Sequence, residues 1–585
     1  MMPSPQAPPS VGSAPAQESA RGSAAPLAAD ASIGLATLNA KFVHLALSLR
    51  YLRNVAQAAG FSQVWLREFT IQMPAWKMAA ELQALRPAVL GFSVYIWNRE
   101  PTFALIELLK KQRPELVIVV GGPEVSFEPG PPAPAIDYVI GGEGERKWVE
   151  LLGYLSRAER PPPEALARWR AYGTDLPELG ELPYREEDLS GLEHRLAYLE
   201  TSRGCPFHCS FCLSALDKQV RFFDDDAVKA QIETLIAHGA RRIKFLDRTF
   251  NLRKSRVREF FRWLMDFEGV AFHFEVVGDL LDDTLVDLLD RAPPGRFQFE
   301  IGVQTTDEAV LGRIERRQRH EQLFAMMHRL RQAGRVHLHA DLVWGLPGET
   351  VAHIRRSFEA TIAVRPHELQ LGFLKFLPGA PIRQLIEEEG YVFQERPPYE
   401  VIRHRLLSAE ELIDLKRFEE AFDAYYNSGR FAFTLEYLFD SLAPWDVFEK
   451  IAGYFRERGL LLVSHSLDNL YRHLLECFHG GPGDTELLDL LRLDYFYHHR
   501  ANRVPDFLMD GELRTNGGPG RGSRRDGRTA AVPFRHRIEL SGGRARLVPS
   551  GRPVWYGFSY PEARRGYFFR PTLAELTQPD GPHNR

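Results

Sequence analysis

The chain has 585 residues, of which 44% are hydrophobic and 26% charged, with a net charge of −4 and four cysteines. That length suggests about three or four domains with cores large enough to need no disulfides, and the cysteine count excludes a disulfide-rich secreted scaffold. The near-neutral charge excludes a strongly basic protein that coats nucleic acid, and no apolar run reaches the roughly 18–20 residues of a spanning helix.

Residues 1–30 are dominated by Ala, Pro and Ser, with almost no large apolar side chain. They cannot bury enough surface to offset their ordering entropy, so a disordered tail is expected. The tail also lacks the apolar core of a signal peptide, and the expected location is the cytoplasm. From Ser32, strand-like runs (Ile33–Leu38, Gln63–Glu68, Val89–Ser93, Val117–Val120, Tyr138–Ile140) alternate with amphipathic segments such as Phe42–Ala59 and Thr102–Lys111. This alternation predicts an α/β domain over 31–155, with a five-stranded parallel sheet that binds ligands at its carboxyl edge. Residues 156–192 are rich in Pro and charge and read as a linker.

Over 193–390 six more strands are expected: Leu196–Thr201, Arg242–Asp247, Ala271–Val277, Phe297–Gln304, Val336–Trp344 and Leu369–Leu377. Helix-like sequence follows the first five, for example Ser255–Phe267 and Val351–Val364. Six βα units predict a partial (β/α)6 TIM-type barrel with its chemistry at the carboxyl ends of the strands. Residues 391–510 read as a mainly helical domain, with Ala409–Tyr426 and Trp445–Arg458 as examples. Residues 511–585 read as a flexible basic loop, Arg521–Arg528, followed by C-terminal strands.

Three cysteines, Cys205, Cys209 and Cys212, follow the first strand of the second region with C-x3-C-x2-C spacing. Thiolates suit zinc or an iron–sulfur cluster. Structural zinc takes four ligands, usually as two separated pairs. No second pair is present and Cys477 lies far away, which leaves His208 as the fourth ligand of a zinc knuckle. Three thiolates on a four-iron cluster would instead leave one iron open to a small molecule.

With Phe211 as the aromatic of C-x3-C-x-aromatic-C, the segment resembles the radical S-adenosylmethionine superfamily. The resemblance implies a [4Fe-4S] cluster on Cys205, Cys209 and Cys212. Its open iron would bind the amino and carboxylate groups of S-adenosylmethionine, whose reductive cleavage gives methionine and a 5′-deoxyadenosyl radical. Later segments are similar to the cobalamin-linked branch of that superfamily: Phe245–Asn251, Glu300–Thr305, Gly345–Thr350 and Phe376–Pro381. On this resemblance Phe211, Asp247, Glu300 and Gln304 are candidates to contact S-adenosylmethionine, while Glu349 is either a contact or a cap.

The first domain carries Val89–Tyr95, Val120–Glu124 and Ile140–Glu145 at three strand ends. Ahead of such a barrel, these resemble a cobalamin-binding domain of Rossmann-like, flavodoxin-like fold. The resemblance puts forward Ser93, Tyr95, Gly121, Gly122, Gly142 and Glu143 as cobalamin contacts. Many such domains carry D-x-H-x-x-G, whose His ligates cobalt. The loop Leu38–His44 does not match it, so cobalamin is expected without that ligand and His44 reads as a helix-start histidine. A degenerate domain that binds no cobalamin is the alternative. Residues 1–200 contain no Cys, which excludes the sister methylthiotransferases with their second cluster.

Phe418, Phe422, Tyr425, Tyr426, Phe431, Phe433, Tyr437 and Phe439 form an aromatic set at helical spacing and read as core. The expected function is a cobalamin-dependent radical S-adenosylmethionine enzyme acting on a small, apolar molecule. Methyl transfer and oxidation or rearrangement both remain open. Flavodoxin or ferredoxin is the expected electron donor, and neither a membrane nor a nucleic acid is an expected partner. A non-catalytic cobalamin or iron–sulfur sensor is the alternative.

Overall fold

The computed structural model describes residues 26–28, 30–128, 130–180, 182–460, 463–479, 484–501, 503–509, 513, 529–560 and 571–576. Most of the expected tail 1–30 and the basic run Arg521–Arg528 lie outside the described residues. The chain forms two compact units, one reaching Glu178 and one from Leu179 onward; residues Val43–Leu45 belong to the second. Among the described residues no helix is long and apolar enough to cross a membrane.

In the first unit, β1 (Ile33–Asn39), β2 (Val64–Thr70), β3 (Val89–Ser93), β4 (Val117–Gly121) and β5 (Tyr138–Ile140) form one parallel sheet in the order β2-β1-β3-β4-β5. Helices α1 (Leu47–Ala58), α2 (Ala75–Ala84), α3 (Arg99–Gln112) and α4 (Glu145–Ser156) supply a separate apolar core on each face. With both faces covered, all seven residues of β1 are buried, and its sequence is apolar from Ile33 to Ala36 with no in-out alternation. The strand order reverses between β1 and β3, the place where such sheets open a crevice for ligands.

This unit extends past residue 155. The expected linker contains α5 (Pro163–Arg170), started by a proline whose missing N–H has no role in the first turn. Its Trp169 is fully buried, and the Trp169 carbonyl accepts the Gly141 N–H at 2.8 Å. The Lys147 ammonium, also fully buried, donates to Gly141 O (2.7 Å) and Ala171 O (2.8 Å). One tryptophan and two carbonyls therefore bind a segment whose prolines and charges suggested a tether.

In the second unit six strands run parallel in chain order: β6 (Ala197–Leu199), β7 (Arg242–Phe245), β8 (Ala271–Val276), β9 (Phe297–Gln304), β10 (Val336–Trp344) and β11 (Glu368–Phe373). They form an open barrel. Along β9 buried Phe297, Phe299, Ile301 and Val303 alternate with partly exposed Gln298, Glu300, Gly302 and Gln304. The apolar set faces the surrounding helices and the polar set faces the lumen. The free edge of β11 is covered by a π-helical turn, Asp423–Asn427. There Asn427 accepts the Leu369 N–H (3.0 Å) and donates to its carbonyl (2.9 Å), imitating a neighbouring strand.

The remaining chain begins with two short strands, Val392–Phe393 and Val401–Arg403, before the expected helices. Phe418 and Phe422 pack against Phe358 and Phe448, and Tyr425 against Phe431. Of the aromatic set, Phe418, Phe422, Tyr425, Phe431 and Phe433 are buried, while Tyr426, Tyr437 and Phe439 are half-buried. Strands Thr529–Ser541, Arg544–Ser559 and Thr572–Leu576 close the chain as an antiparallel sheet.

Candidate functional site

The cysteine segment leaves the carboxyl end of β6 through a tight, fully specified path. Gly204 has φ +91°, and a Cβ there would lie 2.3 Å from the Gln219 carbonyl oxygen, so only glycine fits. Cys205 N–H donates to Asp217 O (2.9 Å), Cys212 N–H to Cys209 O (3.0 Å), and Ser214 N–H to the Cys212 sulfur (3.4 Å). Ser210 is anchored through its backbone to Ile314 and Ile382. All three thiols are free; Cys205 and Cys209 are buried and Cys212 is half-buried. Burial pushes the Cys205 thiol up, against bonds from Phe207 and Thr249 that favour its thiolate.

Among the described residues no three His, Cys, Asp or Glu side chains converge on a single ion position. His208 is exposed, away from the buried thiols. A four-iron cluster makes a different demand, because each thiolate binds its own iron. Buried polar atoms around the loop fit a bound group: Ser210 Oγ, Gln304 Oε1 and Gln318 Oε1 have no hydrogen-bond partner among the described residues.

Arg316 links this loop to β9. Its Nη1 lies 3.5 Å from Cys209 Sγ, and its Nη2 donates to Gly302 O at 2.6 Å. Gln318 donates to the same carbonyl at 2.9 Å. The register of β9 against β10 shifts between Gly302 and Gln304, and Gln304 sits at φ +68°, a left-handed conformation that a long side chain rarely adopts. The bulge turns the Gln304 amide back over Gly302. Arg316 and Gln318 were not singled out by sequence reasoning. Their only signal is position, since both lie on the segment that follows β9.

Glu300 lies in the lumen, where Lys244 and His273 each meet its Oε2 at 2.9 Å. Burial pushes this carboxyl up, but the bonds from His273 and Lys244 outweigh it and hold Glu300 well below the usual carboxylate range. Asp247, a candidate contact of S-adenosylmethionine, is engaged within the protein. It is buried and accepts Thr201 N–H (2.8 Å), Thr201 Oγ1 (2.6 Å) and Ser202 Oγ (2.6 Å). Its oxygens thus brace the entry to the cysteine loop from inside the protein. Glu349 is likewise internal. One oxygen accepts the N–H groups of Gly345 (2.8 Å) and Leu346 (3.2 Å), so it caps the turn before α6 (Val351–Ile362).

Phe211 lines a cavity of about 510 Å³ at the carboxyl end of β11. Opposite it stand Lys375, Glu400, Lys416, Glu419 and Asp423. Charged and amide side chains make this cavity largely polar.

In the first unit, Ser93 ends β3 beside β1, at the point where the strand order reverses. Ser48 Oγ lies 3.2 Å from Ser93 Oγ and 3.3 Å from Tyr95 OH. Buried Asn98 fixes the loop by accepting Tyr95 N–H (2.7 Å) and donating to Leu38 O (3.1 Å). Tyr95 stacks on Trp97 at 4.5 Å. Phe42, Met73, Trp76 and Trp97, each just beyond β1, β2 or β3, are exposed. A polar crevice with an apolar rim fits a large amphipathic ligand such as a corrin. The glycines differ in part from expectation. A Cβ on Gly122 (φ +106°) would meet Val94 O at 2.5 Å, so that residue is glycine for the sake of the protein's own backbone. Gly142 N–H donates to Ser126 Oγ (3.0 Å), and its Cα faces Tyr172 and Gly173 of the expected linker. Glu143 follows it at the start of α4 and is half-buried. His44 precedes its helix, and its Nδ1 lies 2.7 Å from Tyr198 OH, both within the second unit.

The chain matches three family models: a B12 binding domain over residues 33–152, the radical SAM superfamily over 199–360, and a protein family of unknown function, DUF4080, over 387–517. A cobalamin-dependent radical SAM methyltransferase, TokK, from Streptomyces tokunonensis is 27% identical over 356 residues, covering 54% of this chain and 52% of that protein. The chain spans about half the length of the curated relatives it first matches. Two solved structures share the fold. The radical S-adenosylmethionine methyltransferase TsrM from Kitasatospora setae, with cobalamin and a [4Fe-4S] cluster bound, has a TM-score of 0.52 at 19% identity, covering 63% of this chain and 82% of that one. The cobalamin-dependent S-adenosylmethionine radical enzyme OxsB has a TM-score of 0.55 at 14% identity, covering 80% and 84%.

Proposed function

We propose that this chain is a cobalamin-dependent radical S-adenosylmethionine enzyme that transfers a methyl group to an unactivated carbon of a small molecule. The observation that carries the reading is the loop of three free thiols at the carboxyl end of the first barrel strand, ringed by the unengaged polar atoms of Ser210, Gln304 and Gln318. A [4Fe-4S] cluster held by Cys205, Cys209 and Cys212 would supply the electron that cleaves S-adenosylmethionine, and cobalamin held near Ser93 and Tyr95 would supply the methyl group.

The chain's own residues do the holding. Asp247 locks Thr201 and Ser202, and so fixes where the loop leaves the barrel. Arg316 holds the Cys209 sulfur from outside the loop, its Nη1 3.5 Å from Sγ. Gln304 is held by the bulge with an acceptor oxygen still unused, suited to an amino or hydroxyl group of S-adenosylmethionine. Glu300, kept ionised by Lys244 and His273, supplies negative charge deeper in the lumen. The electron would come from a one-electron donor of the flavodoxin or ferredoxin type.

The test is anaerobic purification and reconstitution of the full chain. About four irons per chain are expected from a three-thiolate cluster. Bound cobalamin should show no histidine-nitrogen signature, since His44 is engaged with Tyr198. Incubation with S-adenosylmethionine and a reductant should yield 5′-deoxyadenosine, and with substrate also S-adenosylhomocysteine. 5′-Deoxyadenosine alone would favour oxidation or rearrangement over methyl transfer. Stoichiometric zinc without iron would sink the reading.

A further inference from the structure

The cavity beside Phe211 contains charges that the protein leaves unanswered. Lys416 pairs with Glu400, and Glu368 lies 3.6 Å from His339 Nδ1. Asp423 accepts a bond from Asn427. The side chains of Glu419 and Lys375 line the same cavity, and neither makes an ion pair or a side-chain hydrogen bond among the described residues. Glu419 is half-buried. Its carboxyl is pushed up to about 7 by burial and by Asp423 and Glu400, against the partial help of Lys416. Lys416 is already paired with Glu400 and only partly offsets the burial of Glu419, so a cation brought by a ligand would lower the remaining cost.

Other features place a ligand there. The volume, about 510 Å³, is that of a small-molecule site. Phe211, which lies between the second and third cysteines in sequence, lines the cavity, which therefore borders the thiol loop at that side chain. The opposite wall is the π-helical turn at Asp423–Asn427, an irregularity frequent at functional sites. That turn is held rigid by the two bonds from Asn427 to Leu369.

We infer that this cavity binds the substrate, and that the substrate is a zwitterion of amino-acid type, with its ammonium on Glu419 and its carboxylate on Lys375. This rests on the reading of the chain as a radical enzyme only in calling the ligand its substrate. The binding itself needs no cluster. Gln370, exposed in the cavity, adds an amide for a polar side chain. The inference replaces the apolar metabolite expected from composition.

The experiment is equilibrium dialysis of the full chain against the low-molecular-weight fraction of a cell extract, with bound compounds read by mass spectrometry. Amino-acid-like zwitterions should be enriched. Prior acetylation of the extract's amines, or esterification of its carboxylates, should abolish enrichment. Glu419→Gln and Lys375→Gln should each weaken binding about tenfold or more, the loss of one charge-assisted hydrogen bond. Lys375 is exposed, so its variant keeps the fold even if Glu419→Gln does not. Enrichment of only neutral or anionic compounds, no enrichment, or wild-type binding by Lys375→Gln would overturn the assignment. So would displacement of the ligand by S-adenosylmethionine, which would give the cavity to that cofactor. Failure of the loaded protein to cleave S-adenosylmethionine would count against the radical reading and leave the dialysis result standing.

Discussion

Arg316 ties the Cys209 sulfur to the bulge of β9, with Nη1 3.5 Å from Sγ and Nη2 2.6 Å from the Gly302 carbonyl. Donors to cluster sulfurs stabilise the reduced, more negative state and raise its potential. Arg316→Gln should keep the iron but lower the midpoint potential by tens of millivolts. A redox titration followed by electron paramagnetic resonance reads this directly. An unchanged potential would reduce Arg316 to a structural link.

Asp247 is expected to govern assembly of the loop. Asp247→Ala leaves Thr201 and Ser202 without their acceptor and the neighbouring Arg256 with less compensation. The cost should be about 3 kcal/mol in urea unfolding, with lower iron loading. Asp247→Asn keeps one acceptor oxygen and should cost less.

Glu349 predicts a dependence on pH. Burial pushes its carboxyl up to about 8, against the bonds from Leu346 and Gly345. The folded state therefore holds the proton more tightly than the unfolded state, whose carboxyl titrates near 4.5. Stability from this group is full below the unfolded value and is lost as pH rises toward 8. Glu349→Gln cannot ionise and still accepts both N–H groups. The difference in unfolding free energy between variant and wild type should grow in the variant's favour from pH 5 to pH 9. A constant difference would show that Glu349 is not protonated in the fold.

The four cysteines should separate chemically. Burial pushes the Cys477 thiol up to about 11, so at pH 8 about one molecule in a thousand carries its thiolate. Iodoacetamide should leave it unlabelled in the folded protein. Cys477→Ala should retain the iron, and alanine at Cys205, Cys209 or Cys212 should lose it. Iron retained by any of these three variants would contradict the assigned ligand set.

The boundary of the first unit can be tested by truncation. A fragment ending at residue 178 keeps Trp169 and the Ala171 carbonyl, and one ending at 155 loses both. Without them the Lys147 ammonium, whose pKa burial already lowers to about 8, loses one of its two acceptors. The shorter fragment should be less stable by about 3–5 kcal/mol, the scale of losing a buried tryptophan. Equal melting of the two fragments would restore the segment to a tether.

Local features of this chain are legible in its amino-acid order alone. Phe297–Gln304 and Val336–Trp344 are strands at the expected bounds, because side chains alternate along a strand and the alternation is written in adjacent residues. The five-strand and six-strand runs and the spacing of Cys205, Cys209 and Cys212 are equally local. What the tertiary structure alone decided are pairings between distant residues. Asp247 faces inward because the loop from Thr201 folds over the end of β7, and nothing beside Asp247 in the chain encodes that. Trp169 binds a proline-rich stretch because Gly141 lies next to it in space. Phe211 and Glu419 share a cavity only because the π-helical turn packs on the edge of β11. Periodicity reports which face of an element is apolar. Which polar group meets which across the fold depends on packing that no short window of sequence contains.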